Sequence, residues 1–244
     1  MNGLVRGSVV GSDTEVHIKR DGINALVVPE WAEQFDPDWF DPDYWGERAV
    51  PVSSGGRGSA WFVERPEQDW VLRHYRRGGL IGRLVRDSYL YMGKVRVRSF
   101  SEFRLLTHIY KAGLPAPKPI AAMYRRNGRA YSASIIIERL QGVSPFGAII
   151  GELTGSVWFE VGRTIRQFHD AGVCHADLNC FNIMIGEKRV FLIDFDKGKL
   201  VSGSLSDARW KAENLARLRR SVEKLTKLKA DQRWSALLKG YNSQ

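Results

Sequence analysis

Cysteine is scarce in this sequence. Only Cys174 and Cys180 are present among 244 residues, six positions apart and with no second pair. A disulfide framework needs several cysteines, and a structural zinc site needs more ligands at characteristic spacing. The composition therefore excludes both kinds of stabilisation, and we expect both cysteines to be reduced, semi-buried small residues.

Long apolar runs are also missing. The longest uncharged stretch, residues 140–151, is far shorter than the roughly 20 residues that cross a bilayer, and it contains Gly142, Pro145 and Gly147. The first twenty residues have no apolar core of the kind that a signal peptide carries. We therefore expect no transmembrane helix and a chain that stays in the cytosol.

Acidic residues become sparse after position 70. Residues 1–70 contain 13 acidic and 6 basic side chains, whereas residues 71–244 contain 14 acidic and 31 basic ones. Such an excess of positive charge favours an anionic partner, but it identifies a charge and not a molecule. Nucleic acid, anionic lipid and a phosphorylated substrate all remain open on this criterion.

The hydrophobic patterns predict strands first and helices later. Alternation predicts strands at 50–75 around the turn SSGGRGS, at 120–125 and at 130–140. Helical spacing predicts helices at 99–112, 156–171 and 208–228, followed by a short last helix with Trp234 and Leu237. We expect an α+β, bilobal chain, with an N-terminal lobe at 1–140 and a helical C-terminal lobe at 141–244.

Local signals within these segments give more specific expectations. In FDPDWFDPDYW (35–45), Asp-Pro pairs favour turns and extended backbone over helix, and the repeated Phe and Trp residues predict a lead-in segment stapled to the lobe by aromatic side chains. In the helix at 99–112, Ser99 and Glu102 have the spacing of a capping box, and Phe103, Leu106, Ile109 and Tyr110 form the apolar face. The helix at 156–171 should bury the stripe Val157, Val161, Ile165 and Phe168.

One short stretch carries the chemistry. HADLNCFNIMI places His175, Asp177, Leu178 and Asn182 in the pattern H-x-D-L-x-x-x-N, with Asp194-Phe195 following at the end of an apolar strand. Each residue alone has an ordinary structural explanation as a loop cap or a strand end. Their occurrence together, after an upstream helix and a glycine-rich turn, is the pattern of a phosphotransferase catalytic loop.

Phosphoryl transfer explains why these residue types occur in this order. The reaction requires in-line positioning and neutralisation of phosphate charge, so carboxylates sit on rigid strand and loop ends. We expect Asp177 to orient or accept the proton of the acceptor hydroxyl, and Asn182 and Asp194 to bind Mg²⁺ through hard oxygen atoms. His175 should orient the loop by hydrogen bonding. Asn179 occupies the place where a basic residue often contacts the transferred phosphate.

The chain resembles the lipopolysaccharide kinases within the protein-kinase-like superfamily, from about Phe35 onwards. The resemblance is carried by GRGSAWFV (56–63), VLRHYRRGGLIGRL (71–84), EFRLLTHIYKAGLPAPKPIAA (102–122), ERLQG (138–142), HADLNCFNIMI and FLIDFDKGKL (191–200). It implies a bilobal kinase fold and an ATP- and Mg²⁺-dependent reaction. The implied acceptor is the 4-hydroxyl of a 3-deoxy-D-manno-octulosonic acid (Kdo) residue on a lipid A precursor.

The resemblance also implies which residues bind the nucleotide: Gly55, Gly56, Gly58, Arg73, Glu102, Glu138 and Leu140. The glycines would cover the ATP phosphates with backbone N–H groups, although SSGGRGS lacks full G-x-G-x-x-G spacing and is equally a hairpin turn. Arg73 would pair with Glu102 and with phosphate. Glu138 and Leu140 would offer backbone groups to adenine, with Ile137 beside them.

Two positions depart from the kinase pattern. Arg73 stands where most kinases have lysine, and a planar guanidinium is not a neutral replacement for an ammonium group. Asp196 replaces the glycine of D-F-G, which removes conformational freedom and adds a carboxylate. No A-P-E motif and no long activation segment precede the helix at 208, so a small or lipid-linked acceptor fits better than a peptide.

The implied acceptor gives the basic segments a partner. Kdo on lipid A carries carboxylate and phosphate groups at the cytoplasmic face of the bacterial inner membrane, where basic side chains would attract both the head group and the anionic leaflet. Candidate substrate contacts are Arg76, Arg77 and Arg83. Their alternative is a role as solvated surface charges.

Three other functions remain open on sequence alone. A small-molecule phosphotransferase of the aminoglycoside or choline kinase kind shares the catalytic-loop pattern, but its acceptors are cationic and a basic segment should repel them. A non-catalytic kinase-like scaffold is suggested by Arg73 and Asp196. A nucleic-acid binder is suggested by the sequence pI of about 9.7, and its affinity would depend strongly on salt concentration. If the chain is a kinase, we expect no nucleic-acid partner.

Overall fold

The structure, a computed structural model, describes residues 8–20, 22–52, 59–75, 89–91, 93, 96–201, 207–226 and 231–243. Several of the predicted site residues lie outside these ranges: Gly55, Gly56, Gly58, Arg76, Arg77 and Arg83.

The strands and helices are numbered in chain order. The strands are β1 Ser8–Gly11, β2 Val16–Arg20, β3 Ile23–Val27, β4 Ala49–Pro51, β5 Ala60–Val63, β6 Trp70–His74, β7 Tyr89–Leu90, β8 Pro119–Asn127, β9 Ala130–Glu138, β10 Ser144–Pro145, β11 Val173–Cys174, β12 Ile183–Ile185, β13 Val190–Leu192 and β14 Lys199–Leu200. The α-helices are α1 Pro42–Trp45, α2 Arg98–Lys111, α3 Phe146–Ile149, α4 Gly155–Asp170, α5 Asp207–Thr226 and α6 Asp231–Asn242. Short 3₁₀ turns occupy Pro29–Trp31, Pro37–Phe40 and Gly46–Arg48.

Contacts divide the chain into two compact units. The first contains Met1–Thr107 and Lys118–Arg139, and the second contains His108–Pro117 and Leu140–Gln244. The division after Arg139 lies next to the lobe boundary predicted at residue 140. Residues 108–117, the end of α2 and the segment after it, group with the second unit, where the N–H of Leu192 donates to the carbonyl of Pro115 at 3.0 Å.

An antiparallel sheet forms the first unit. Its strand order is β1-β2-β3-β8-β9-β6-β5-β4, and β7 also pairs with β9. The predicted strands at 50–75, 120–125 and 130–140 are confirmed by β4, β5, β6, β8 and β9. Strands β1 to β3 were not predicted, because they are short and their stability comes from a distant partner: β3 pairs with β8, with Ala25 opposite Met123.

The aromatic lead-in at 35–45 is largely helical, so the prediction of turns and extended backbone over helix is wrong except at Asp36 and Asp41, whose backbone is extended. It forms the 3₁₀ turn Pro37–Phe40 and then α1. The carboxylates of Asp36 and Asp41 accept the N–H two residues ahead at 2.9 and 3.0 Å. Each Asp-Pro pair is therefore an N-cap followed by a proline at the first helical position, where proline needs no N–H partner.

Tryptophan side chains attach this lead-in to the sheet. The rings of Trp31, Trp39 and Trp45 lie 5.2, 5.0 and 5.9 Å from the fully buried ring of Trp70 in β6. The guanidinium of Arg65 stacks 3.7 Å from the Trp70 ring centroid, a cation–π contact in a site from which water is largely excluded. The expectation of an aromatic-stapled lead-in is confirmed.

Helix α2 matches the predicted helix at 99–112 within one residue, but its start differs. Ser99 lies inside the helix and its hydroxyl donates to the carbonyl of Met123 at 3.1 Å, so the predicted Ser99 cap is wrong. Phe103, Leu106 and Ile109 are buried as predicted, whereas Tyr110 is half exposed. Glu102, the other residue of the predicted capping box, is 3% exposed, and its carboxylate pairs with Arg73 instead.

Helices dominate the second unit. In α4 the side chains of Val161, Ile165 and Phe168 are buried as predicted; Val157 is only partly buried and the adjacent Trp158 is fully buried instead. Helix α6 packs along α4 and buries Trp234 and Leu237. Among the described residues, none of the helices combines the length and the apolar character needed to cross a membrane.

A buried histidine in α4 makes the stability of the protein depend on pH. His169 is 2% exposed, its Nδ1 lies 2.8 Å from the Tyr241 hydroxyl, and burial lowers its pKa to about 4. An unfolded histidine has a pKa near 6.5, so between these values the unfolded chain binds more protons. The stabilising contribution of neutral His169 is therefore complete above pH 6.5 and is lost as pH falls towards 4.

We expect this loss to reach roughly 3 kcal/mol near pH 4. Urea unfolding at pH 7 and pH 4.5 measures it in wild type and in His169→Gln, which titrates at neither pH. Wild type should lose about 2 kcal/mol more than the variant over that interval. Equal losses in the two proteins would contradict the assignment.

Candidate functional site

The catalytic-loop residues lie between β11 and β12 in the second unit, and His175 holds the loop in shape. Its Nδ1 accepts the N–H of Asp177 at 3.1 Å, and its Nε2 donates to the carbonyl of Ile193 at 2.9 Å. Burial lowers the pKa of His175, so the ring is neutral and carries its proton on Nε2. Through these two hydrogen bonds His175 orients the loop, as predicted from the sequence.

The hairpin of β12 and β13 brings Asn182 and Asp194 to the same end of a ladder. Ile183 pairs with Leu192, and the N–H of Ile193 donates to the carbonyl of Asn182 at 3.0 Å. The side-chain amide of Asn182 donates to the carbonyl of Asp177 at 2.8 Å. The fold therefore gathers Asp177, Asn182 and Asp194, although twelve residues separate the last two in sequence.

The donor atoms at this point suit a magnesium ion. The amide nitrogen of Asn182 is used by the bond to Asp177, which leaves its oxygen as the coordinating atom, and Asp194 adds a carboxylate. Mg²⁺ usually takes one or two protein oxygen ligands and completes its shell with water and substrate phosphates. The described residues contain no cluster of three or more His, Cys, Asp or Glu. Asn182 and Asp194 would suit an ion whose remaining ligands come from water and a phosphate substrate.

The conformation of Asp194-Phe195-Asp196 is constrained by the backbone at Asp194 and by the packing of the Phe195 ring. Asp194 has φ of +63°, a conformation that costs a non-glycine residue about 1–3 kcal/mol and persists only when its surroundings impose it. The fully buried Phe195 supplies that constraint, because its ring stacks on Phe168 at 5.7 Å and contacts the ring of His175 at 4.9 Å. Positive φ is not found at Asp196, so the aspartate that replaces a glycine there creates no backbone strain.

The carboxylate of Asp177 is exposed to solvent, although the neighbouring residues of the catalytic loop are largely buried. Its side chain is 60% exposed while Leu178 beside it is fully buried. The amide of Asn179 donates to its Oδ2 at 3.2 Å, and Nη1 of Arg217, on α5, lies 3.5 Å from its Oδ1. Sequence reasoning missed Arg217, because helical periodicity does not distinguish it from the neighbouring arginines of α5.

A second cluster belongs to the first unit and surrounds Glu102. One nitrogen of Arg73, Nη2, lies 2.5 Å from each carboxylate oxygen of Glu102, and the hydroxyl of Tyr75 donates to the same carboxylate. Burial, which is the larger cause, and the negative charge of Glu102 raise the pKa of Tyr75 well above its usual value, so the phenol stays protonated. The structure brings Arg73 and Glu102 together, and it adds Tyr75, which sequence reasoning missed.

Glu138 and Leu140 were predicted to offer backbone groups. Glu138 ends β9, and its N–H donates to the carbonyl of Lys118 at 2.8 Å, so only its carbonyl is left for a ligand. Leu140 begins the second part of the second unit, and its N–H makes no hydrogen bond within the described residues. The remaining predicted residues, named above, lie outside the described ranges.

Together these groups can perform one kind of chemistry. In the second unit, an exposed carboxylate on a rigid loop can take a proton from a hydroxyl, an adjacent amide and carboxylate can share a divalent ion with a phosphate, and the guanidinium of Arg217 can bind an oxyanion. Neutral His175 provides structure and not acid–base chemistry. The arrangement suits transfer of a phosphoryl group to an alcohol.

Comparison with known proteins agrees with this chemistry. Residues 42–241 match the sequence pattern of the Lipopolysaccharide kinase (Kdo/WaaP) family. The chain is 46% identical over 200 residues to a 3-deoxy-D-manno-octulosonic acid kinase of Xanthomonas campestris pv. campestris (strain B100), covering 80% of this chain and 78% of that one. It is 50% identical over 188 residues to the enzyme of the same name from Xylella fastidiosa (strain M12), covering 76% and 74%.

A solved structure shares the fold. The structure of WaaP in complex with acyl carrier protein aligns with a TM-score of 0.59 over 89% of this chain and 88% of that chain, at 14% sequence identity. At that identity the likeness concerns the fold alone. It confirms the predicted α+β, protein-kinase-like architecture.

Proposed function

Because this chain belongs to the lipopolysaccharide kinase (Kdo/WaaP) family, we propose that it transfers the terminal phosphate of ATP to the 4-hydroxyl of a Kdo residue on a lipid A precursor. Membership of the family and the names of relatives 45–50% identical support a Kdo kinase of lipopolysaccharide inner-core biosynthesis. The observation that carries the proposal is the gathering of Asp177, Asn182 and Asp194 around His175.

Asp177 acts on the acceptor in the proposed reaction. The acceptor hydroxyl oxygen forms a bond to the terminal phosphorus of ATP, the bond to the bridging oxygen breaks with its electron pair on ADP, and the hydroxyl proton passes towards the Asp177 carboxylate. Asn182 and Asp194 would hold Mg²⁺, which supplies positive charge to the phosphate oxygens when bound. His175 keeps the loop in register through its two hydrogen bonds.

The first unit contributes nucleotide binding in this proposal. Arg73, positioned by Glu102 and Tyr75, would bind ATP phosphate, and Gly55, Gly56 and Gly58 would cover the phosphates. The carbonyl of Glu138 and the N–H of Leu140 would receive adenine. Arg76, Arg77 and Arg83 stay candidates for contact with the acceptor.

We also propose that the protein works as a peripheral protein at the cytoplasmic face of the inner membrane. Kdo-lipid A is anchored there by its acyl chains, and residues 71–244 carry 31 basic against 14 acidic side chains. Each Lys or Arg close to an anionic leaflet contributes about 1 kcal/mol of attraction. The same charge disfavours the cationic acceptors of aminoglycoside and choline kinases, and relatives named for a sugar acid favour a catalyst over a scaffold.

Phosphate transfer to purified Kdo-lipid A tests the function. Incubation with labelled ATP and Mg²⁺ should add one phosphate group to the glycolipid, seen by mass spectrometry, and NMR should place it on the 4-hydroxyl of Kdo. Choline and an aminoglycoside serve as competing acceptors and should receive none. Folded protein that leaves Kdo-lipid A unmodified, or that prefers a cationic acceptor, would refute the proposal.

Glu102→Gln should weaken both the first unit and its hold on ATP. The change replaces the carboxylate that pairs with Arg73, whose side chain is 22% exposed, by a neutral amide, and we expect a loss of about 3 kcal/mol in the free energy of unfolding. ATP affinity should fall at least about tenfold, because Arg73 is no longer positioned. Chemical unfolding and calorimetric titration of ATP measure the two effects.

Arg104→Ala is the matched control for that variant. Arg104 lies two residues further along α2 and pairs at 2.8 Å with Glu15 on the surface, a kind of pair worth at most about 1 kcal/mol. Its ATP affinity should equal that of wild type. If Glu102→Gln also bound ATP normally, Arg73 and Glu102 would have no part in nucleotide binding.

A further inference from the structure

Arg217 makes a contact that stability does not explain. Its guanidinium lies 3.5 Å from the carboxylate of Asp177, and the two side chains are 48% and 60% exposed. An ion pair so open to water contributes little to folding. Within the described part of the chain, the bond to Asp177 is the one hydrogen bond that the Arg217 side chain makes. A guanidinium has five N–H donors, so most of them can bind a ligand.

Helix α5 holds Arg217 beside the catalytic loop. The neighbouring Leu218 and the nearby Val222 are fully buried, which fixes the rotation of the helix. One turn after Arg217, the hydroxyl of Ser221 accepts the N–H of Cys180 at 3.2 Å. Positions four apart on a helix lie on the same face, so the backbone that carries Arg217 is anchored to the loop that carries Asp177.

The catalytic loop itself has no cation. HADLNCFN contains no lysine or arginine. Asn179, two residues after Asp177, uses its amide on Asp177, and its Oδ1 accepts the N–H of Phe181 at 2.8 Å. Phosphoryl transfer spreads negative charge over the three equatorial oxygens, and enzymes supply a nearby cation to stabilise it. In the second unit, the cation observed against the Asp177 carboxylate comes from α5.

Distances place the reacting phosphorus within reach of Arg217. A hydroxyl bonded to Asp177 lies about 3 Å from the carboxylate, and a phosphorus poised for attack lies roughly 3–3.5 Å beyond that oxygen. The phosphorus thus lies within about 6.5 Å of the carboxylate, with the phosphoryl oxygens around it. A guanidinium 3.5 Å from the same carboxylate can donate to them directly.

We infer that Arg217 binds the phosphoryl group while it passes from ATP to the acceptor oxygen at Asp177. This inference rests on the proposed kinase function and adds a catalytic residue to it. The bonds formed and broken are those of the proposed reaction; Arg217 keeps its proton and supplies charge. It replaces, from a helix distant in sequence, the cation that the loop lacks.

Two measurements on Arg217→Ala test the inference. With ATP and Kdo-lipid A, kcat should fall about 10²–10³-fold, while KM for each substrate changes less than about threefold. By calorimetry, affinity for ADP with Mg²⁺ should be unchanged. Affinity for ADP with Mg²⁺ and aluminium fluoride, which mimics the phosphoryl group in transfer, should fall by a factor comparable to the loss in kcat.

Arg219→Ala is the matched control. Arg219 lies two residues further along α5, is 49% exposed against 48% for Arg217, and pairs with Glu223 at 2.8 Å. That variant should keep wild-type kcat and wild-type affinity for the aluminium fluoride complex. Arg217→Lys, which keeps the charge and the helix, should recover part of both losses and separates catalysis from folding.

Three other outcomes would overturn the inference. An unchanged kcat in Arg217→Ala would remove any catalytic role. A raised KM for the glycolipid at constant kcat would make Arg217 an acceptor-binding residue. Loss of kcat with unchanged affinity for the aluminium fluoride complex would mean that Arg217 only positions Asp177. A wild-type protein that transfers no phosphate to Kdo-lipid A, yet loses affinity for the mimic in Arg217→Ala, would refute the proposed acceptor and not the role of Arg217.

Discussion

Asp177→Asn should abolish most of the phosphotransfer, lowering kcat by about 10³-fold while the protein folds normally and binds ATP as before. Asparagine has the same shape as aspartate, so it can keep contacts with Asn179 and Arg217, but it cannot take a proton. The side chain is 60% exposed, so the change leaves no buried charge without a partner. Steady-state kinetics on Kdo-lipid A and calorimetric titration of ATP measure the two effects.

Asp170→Asn provides the control for that result. Asp170 is also an exposed carboxylate of the second unit, 49% exposed, and it pairs with Arg166 at 2.6 Å in the last turn of α4. Its loss should cost at most about 1 kcal/mol of stability and leave kcat unchanged. If Asp177→Asn kept kcat within tenfold of wild type, the carboxylate would not be the proton acceptor.

Gly162→Ala should destabilise the second unit by about 3 kcal/mol, since it places a methyl group where a backbone already lies. A Cβ at position 162 would be 1.9 Å from the carbonyl oxygen of Leu237 in α6. Gly240 is the reciprocal case, 1.9 Å from the carbonyl of Phe159 in α4. The two helices must separate to admit the methyl group, which exposes the buried Leu237 and Trp234.

Thermal unfolding measures this effect against a glycine in the same helix. For a chain of this size, 3 kcal/mol corresponds to a fall in Tm of roughly 6–12 °C. A Cβ at Gly155 would meet Ala236 at 4.0 Å, an ordinary contact, so Gly155→Ala should be neutral or raise stability by about 0.4–1 kcal/mol. Both substitutions add one methyl group to α4, at its first residue and in its interior, so a loss of stability in Gly162→Ala alone points to the steric contact. A Gly162→Ala protein as stable as wild type would contradict the close approach.

The sequence predicted the elements that local patterns specify. Helical periodicity located α2, α4 and α5, and alternation located β6, β8 and β9 within a few residues. Local patterns also misled where one signal had two meanings: Asp-Pro at 36 and 41 caps short helices instead of preventing them. Ser99 has the right spacing for a cap, yet the helix begins one residue earlier, at Arg98, and the Ser99 hydroxyl donates to the carbonyl of Met123 in β8.

The catalytic loop was recoverable from sequence because its chemistry needs fixed residue types at fixed spacing within one short segment. Asp177 and Asn182 are five residues apart, and the hairpin of β12 and β13 brings Asp194 back towards them. Local sequence patterns are therefore enough to predict that these residues lie near one another. The proposed roles of Asp177 as proton acceptor and of Asn182 and Asp194 as oxygen ligands rest on that spacing.

Only the tertiary structure selected Arg217 from among the arginines of α5, added Tyr75 to the pair of Arg73 and Glu102, and required glycine at 162 and 240. The physical reason is common to all of these. A periodic pattern states which residues share a face of their own helix or strand, but the partner of that face lies many residues away. Packing geometry decides which guanidinium reaches the carboxylate and where two backbones come too close for a side chain.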